Sequence, residues 1–204
     1  MSSSERAPAS VTCQTGDVLL ADHPALDLVG TVAERTTTSV EHLTTPAALA
    51  DWLVAAGVLD TAPAAGAADL AAALGLREAL NAVLRATTEG EPLPPDALAV
   101  VHAAAAGPAV GLTLAVDGGL HREGDVTAAL TAVARAALEL VGGPERQLLR
   151  WCADAACTHP FLDRSRGGRR RWCGMAGCGD RAKARAYRAR RRRGITDGAE
   201  PSSA

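Results

Sequence analysis

Four cysteines near the C-terminal end carry the clearest chemistry in this 204-residue chain. Cys152 and Cys157 are separated by four residues, Cys173 and Cys178 by the same four, and fifteen residues lie between the pairs. Thiols paired this closely can converge on one soft cation, and four of them close a tetrahedral shell around zinc with no position left for water or substrate. The spacing therefore predicts a single structural zinc ion and not a hydrolytic centre. Buried or redox-active thiols are the alternative, disfavoured by the pairing and by the absence of a secretory signal in the polar first 16 residues. Cys13, alone in that leader, is expected to be incidental. His159 could replace a sulfur ligand, but with four sulfurs present a solvated loop position is expected for it.

Arginines surround these cysteines. From residue 145 to 193 there are 15 Arg+Lys against 4 Asp+Glu, net +11, whereas residues 1 to 144 hold 6 Arg against 17 Asp+Glu, net −11. The overall formal charge of −2 thus conceals an acidic body and a basic head that a polyanion would meet. From Asp180 onward the run Asp-Arg-Ala-Lys-Ala-Arg-Ala-Tyr-Arg-Ala-Arg-Arg-Arg-Arg lacks Gly and Pro and consists of strong helix formers, with Asp180 placed to cap the helix. Arg181, Arg185 and Arg188 share one stripe, while Lys183, Arg190 and the run from Arg191 to Arg193 spread charge around the far end. No acidic residue along the helix relieves that repulsion, so a counter-charge is expected from outside, and DNA is the expected supplier. A solvated charged face, or docking of the helix onto the acidic body, are the competing readings. The candidate nucleic-acid contacts are Arg166, Arg169, Arg170, Arg171, Arg181, Lys183, Arg185 and Arg188. Arg166 and Arg171 are also placed to offset the double negative charge of a zinc ion held by four thiolates.

The chain has three Trp, one Tyr and one Phe, and four of these five are Trp151, Phe161, Trp172 and Tyr187. They are expected to form a miniature core around the metal. A segment of about forty residues cannot hold itself by burial alone, and metal binding worth about 10–16 kcal/mol supplies what burial lacks.

The elements that must carry this head come before it. Residues 1–16 read as a disordered leader, and the ordered body, 17–143, begins around Leu26, Leu28 and Val29. Thr45-Pro46 starts a helix with Leu49, Trp52 and Leu53 on one face and Gly57 as its stop. Leu76, Leu80, Val83 and Leu84 recur at helical spacing between Ala67 and Thr87, and Pro94-Pro95-Asp96 opens another helix with Leu98, Val101 and Ala105. Val110 to Val116, the turn Asp117-Gly118-Gly119 and Leu120 to Arg122 read as a hairpin. Asp125 caps a last body helix carrying Val126, Leu130, Val133, Ala137 and Val141, which stops at Gly142-Gly143-Pro144, read as the hinge. The fold class is α+β: a predominantly helical N-terminal domain with a small hairpin, then a zinc module over 144–193 ending in the basic helix, then a disordered tail over 194–204.

The stretch from Trp151 to Lys183 resembles the CGNR zinc finger. The family's cysteine pair, Phe-x-Asp-x-Ser-Arg, Arg-Trp-Cys and Cys-Gly-Asn-Arg-x-Lys are matched by Cys152, Cys157, Phe161, Asp163, Ser165, Arg166, Arg171, Trp172, Cys173, Cys178, Gly179, Arg181 and Lys183. The body resembles the ABATE domain that precedes this finger in bacterial stress-induced transcription regulators, through His23-Pro24-Ala25-Leu26-Asp27-Leu28-Val29 and the segment from Thr45-Pro46 to Trp52-Leu53. Asp180 stands where the finger has Asn, and Gly30-Thr31 where the body motif reads Asn-Thr. Asp27 and Thr31 are the candidate ligand-contacting or structural residues of the body, and for Asp27 a cap or buried hydrogen-bond acceptor is preferred.

The resemblance implies a cytoplasmic, nucleoid-associated bacterial regulator whose finger binds DNA and whose body senses a small effector or forms a homodimer. An RNA- or ribosome-associated factor would use the same charge. The body shows no nucleophile–base pair, phosphate loop or metal-ligand spacing, so an enzyme is not expected, and no stretch reaches the length of a membrane span. His23, His42, His102 and His121 lie far apart in sequence and read as surface or core histidines.

Overall fold

The computed structural model describes residues 21–154 and 156–196; the leader over 1–16 with Cys13, and most of the tail, lie outside them. The body is a helical bundle built on α3, Ala67–Glu89, against which α1 (Pro24–Gly30), α2 (Pro46–Ala55), α4 (Pro95–Ala105) and α5 (Val126–Gly142) pack. Its core includes Leu26, Leu28, Leu49, Leu53, Leu76, Leu80, Leu84 and Val133, so truncating one of these leucines to Ala would cost about 2–5 kcal/mol.

Local signals set the helix ends. Thr45 Oγ1 accepts from the Ala48 N–H at 3.1 Å, with Pro46 opening α2. Asp125 does the same for Ala128 at 2.8 Å at the start of α5. Helix α3 ends at Gly90, whose φ of +72° is left-handed and therefore suits glycine. The motif around Asp27 forms a buried helix of its own, α1.

Among the described residues, three antiparallel strand pairs decorate the bundle. The first, β1 (Val32–Ala33) with β2 (Val40–Glu41), had no sequence signal long enough to read. The expected hairpin is β3 (Gly111–Leu114) with β4 (Leu120–Glu123), and it pairs Leu112 with Arg122 and Leu114 with Leu120. The third, β5 (Leu149–Trp151) with β6 (Pro160–Leu162), follows a short 3-10 turn at Pro144–Leu148.

That third pair changes the meaning of Gly142-Gly143-Pro144. The chain does turn there, yet Leu149 and Leu162 beyond it are buried in the same core cluster as the bundle leucines. The segment acts as a corner between parts that share a core, not as a free joint.

Candidate metal centre and basic surface

Hairpin β5–β6 holds the first cysteine pair. Cys152 directly follows β5, and its N–H donates to the His159 carbonyl at 3.0 Å, while the Cys157 N–H closes a tight turn on the Asp154 carbonyl at 2.8 Å. The second pair is set by a helix start. Met175–Gly179 forms a wide π turn, closed by the Gly179 N–H on the Gly174 carbonyl at 3.0 Å, and runs directly into α6, Asp180–Thr196. Cys178 sits on that turn. The helical path thus begins before Asp180, which corrects its expected role as the cap: its carboxylate lies in the first turn of α6 and accepts from Lys183 Nζ at 3.1 Å.

These two scaffolds bring the four sulfurs within 4.8 Å of one another, with Cys157–Cys173 at 3.6 Å and Cys173–Cys178 at 3.7 Å. A tetrahedron with metal–sulfur bonds of about 2.3 Å has edges of about 3.8 Å, so the arrangement fits one zinc ion. Packed this closely, the four thiols compete for one another's hydrogen bonds, which lowers Cys152 and Cys178 and raises Cys157 and Cys173 from the ordinary thiol pKa. The four cysteines form a site for one zinc ion with no open coordination position.

Of the four aromatics expected around the metal, two are there. Phe161 is fully buried in the cysteine cluster and Trp172 packs against it. Trp151 belongs to the body instead: its indole N–H donates to Thr88 Oγ1 at 3.0 Å, and the Arg85 guanidinium lies 3.6 Å above its ring. Tyr187 is 56% exposed. Trp151 immediately precedes a ligand, but strand alternation turns neighbouring side chains to opposite faces.

His159 is corrected as well. It is buried, and its Nε2–H donates to the Gly30 carbonyl at the end of α1 at 2.8 Å. Beside it the buried Thr158 hydroxyl accepts from the Arg35 N–H at 3.3 Å. The first knuckle is therefore seated on the body by side chains within two positions of Cys157.

Asp27 and Thr31 serve structure. The buried Asp27 carboxylate accepts from the N–H groups of Ala21 and His23 at 3.0 and 3.3 Å, which is the preferred acceptor role. Thr31 Oγ1 donates to the Leu28 carbonyl at 2.7 Å and accepts from Arg77 Nη1 at 3.1 Å. Arg77, itself buried, grips Glu41 through two 2.7 Å bonds and Glu78 through one of 2.9 Å. A salt-bridged arginine at the heart of the body is not legible in the sequence because two of its partners, Glu41 and Thr31, lie 36 and 46 residues away.

The basic residues divide into bound and unpaired. Asp154, 1% exposed and unnoticed in the sequence, accepts from Arg181 Nε at 2.8 Å and from Arg185 Nη2 at 3.0 Å. Burial raises its carboxyl pKa, but hydrogen bonds from Arg181, the Ala156 N–H and Arg185 outweigh that and leave it lowered. Arg181 also donates to Cys178 Sγ at 2.9 Å, so it, and neither Arg166 nor Arg171, offsets the thiolate charge. Two of the three residues in the stripe expected to face phosphates, Arg181 and Arg185, thus tie α6 to the cysteine site, while Arg188 stays exposed. Arg170, though exposed, folds back onto the cysteine site: it donates to the carbonyls of Trp172 and Cys173 and lies 4.8 Å over the Phe161 ring.

The loop before Cys173 is shaped by the buried Asp163. Its carboxylate accepts from the Ser165 N–H and the Arg170 N–H, each at 3.0 Å, across a turn in which Gly167 and Gly168 have φ of +90° and +62°. Exposed on that loop are Arg166, Arg169 and Arg171, the last stacked 5.4 Å from Trp172. Exposed on α6 are Lys183, Arg188, Arg190 and Arg191. The ion pairs of α6 run to Asp154 and Asp180, both in the head, so among the described residues no acidic group of the body docks the helix.

No helix among the described residues is long and apolar enough to cross a membrane. A search of curated proteins returned no match. The CGNR zinc finger family matches residues 149–191, from the start of β5 to within α6. The family described as ABATE, putative stress-induced transcription regulator, matches residues 22–144, the whole helical body. A bundle that fits this domain over more than half of the chain, followed by the four-sulfur site of the finger, means that the chain belongs to the ABATE family and carries a CGNR zinc finger.

Proposed function

We propose that this protein is a zinc-dependent, DNA-binding transcription regulator whose basic head contacts phosphates and whose body dimerises. The observation that carries the reading is a surplus of fixed positive charge. All four carboxylates of residues 145–193 are bonded within the head: Glu145 to Arg164, Asp154 to Arg181 and Arg185, Asp163 to loop N–H groups, and Asp180 to Lys183. Among the described residues, the guanidinium groups of Arg166, Arg169, Arg171, Arg188, Arg190 and Arg191 have no acidic partner. The cysteine cluster anchors both the loop, through Arg170, and the helix, through Arg181, so a zinc ion there would hold this charge in a fixed arrangement.

Fluorescence polarisation of labelled duplex DNA across a salt series tests the reading. The triple variant Arg166→Gln, Arg169→Gln, Arg171→Gln should weaken binding and flatten the plot of log affinity against log salt by about 0.9 for each phosphate no longer neutralised. Unchanged affinity and slope would remove the loop from the interface. Tighter binding of structured RNA than of duplex DNA would favour an RNA-associated factor.

Dimerisation through β3 is supported by the hairpin edges. Asp60 seals the outer edge of β4, its N–H donating to the Arg122 carbonyl at 3.1 Å and its carboxylate accepting from the Arg122 N–H at 2.7 Å. Leu112 and Leu114 occupy the matching non-hydrogen-bonded positions of β3, so their N–H and C=O groups turn toward an open edge. Their side chains are exposed, and residues 110–116 carry no charge to block pairing. A second copy can pair antiparallel there with Leu112 opposite its Leu114 and Thr113 on the two-fold axis. Light scattering should give twice the chain mass for the protein and the single mass for Leu114→Lys; a wild-type monomer at micromolar concentration excludes this contact.

A further inference from the structure

The nucleic-acid reading leaves open what kind of strand the head takes, and one residue on α6 bears on it. We propose that the outward face of α6, centred on Tyr187, is a stacking platform for an unpaired base, so that the head prefers single-stranded DNA to closed duplex. The inference rests on the reading of the basic head as a nucleic-acid surface and narrows it.

Asp154 fixes the rotation of the helix. By holding Arg181 and Arg185 from one side, it turns the opposite side outward, and that side carries Lys183, Tyr187, Arg190 and Arg191 at i−4, i, i+3 and i+4 about the tyrosine. All four are exposed. The other aromatic rings are engaged: Phe161 and Trp172 with the cysteines, Trp151 with Arg85 and Thr88, and Trp52 in the body core. Tyr187 makes no hydrogen bond and no ring contact among the described residues.

Its surroundings keep the ring open. Of the helix positions one turn from the ring, the remaining one, i−3, is Ala184, whose methyl group is too short to cover a phenol face. Lys183 is tied to Asp180 by an exposed pair one helical turn apart, a bond weak enough for a phosphate to replace. An aromatic face flanked by cations one turn away on either side matches a strand whose bases are free to stack while its phosphates follow the charge. In a closed duplex the base faces are covered by one another and only their edges are offered to the grooves. The ring then has no face to meet.

The test uses the full-length, zinc-loaded protein with a labelled oligodeoxynucleotide, single-stranded or annealed to its complement, by fluorescence polarisation at low salt. The protein should bind the single strand more tightly. Tyr187→Ala should weaken single-strand binding about tenfold and leave duplex binding nearly unchanged, while Tyr187→Phe, which keeps the ring, should bind as the parent does. Circular dichroism and zinc content confirm that both variants retain the fold. Tyr187→Ala binding both forms as the parent does, or losing both equally, overturns the platform while leaving the charge-based reading standing. Failure of the parent protein to bind either form removes that reading and this inference together.

Discussion

His159 Nε2 donates to the Gly30 carbonyl at 2.8 Å, joining the residue two places after a zinc ligand to the end of the buried helix α1, 129 positions earlier. Through this bond the metal site and the body share structure. Replacing His159 with Leu leaves a buried carbonyl without its donor and should cost about 1–3 kcal/mol, read as a lowered urea midpoint of the whole chain. If the transition is unchanged, the knuckle and the body fold independently and the shared core around Leu149 and Leu162 contributes little.

Asp154 holds α6 in its orientation. Asp154→Asn removes the charge that Arg181 and Arg185 share, and Arg181 in turn supports the Cys178 thiolate. Zinc affinity should fall by about 10–100-fold in competition with a chromophoric chelator, the usual consequence of losing a group behind the ligands. A variant that holds zinc as tightly as the parent would assign Asp154 to helix placement alone.

Within the body, Arg77 is the charge whose loss matters most. Arg77→Met leaves Glu41 and Thr31 without their donor and should destabilise the domain by about 3 kcal/mol, with part of the loss recovered by adding Glu41→Gln. Thermal unfolding of the single and double variants decides it, and no recovery in the double variant would mean that Arg77 acts by packing.

The pH dependence should carry a histidine signature. Burial lowers the His23 pKa below 6.5, helped by nearby Arg164 and opposed by Glu145 and Glu139. The unfolded chain therefore takes up this proton at a higher pH than the folded chain does. Stability should fall as pH drops below about 6.5 and level off once the folded His23 also protonates. His23→Gln should flatten that part of the profile, and an identical slope in the variant would place the dependence on other groups.

Much of this protein was readable in the chain itself. The paired cysteines named the metal site because two short loops and four thiols leave few other uses for such spacing. Thr45-Pro46, Asp125 and the stop at Gly142 marked helix ends because capping is a local event, decided by the few residues that satisfy the free N–H and C=O groups. The hairpin around Asp117-Gly118-Gly119 followed from alternation and a turn, both local.

What the chain could not disclose were partners distant in sequence. Asp154 looked like one acid among many basic residues, and only the close approach of β5 to the start of α6 shows that it binds Arg181 and Arg185. His159 read as a loop residue because nothing in its neighbourhood announces that Gly30 lies against it. The same reason governs the aromatics: their spacing placed four near the metal, but which face each occupies depends on strand alternation and helix rotation. The sequence thus determined that a metal site and a basic helix exist, since ligand type and helix propensity are properties of short segments. Tertiary packing decided which arginines are tied inside, which remain outside, and that Tyr187 faces solvent, because an ion pair across the fold fixes the rotation of a whole helix.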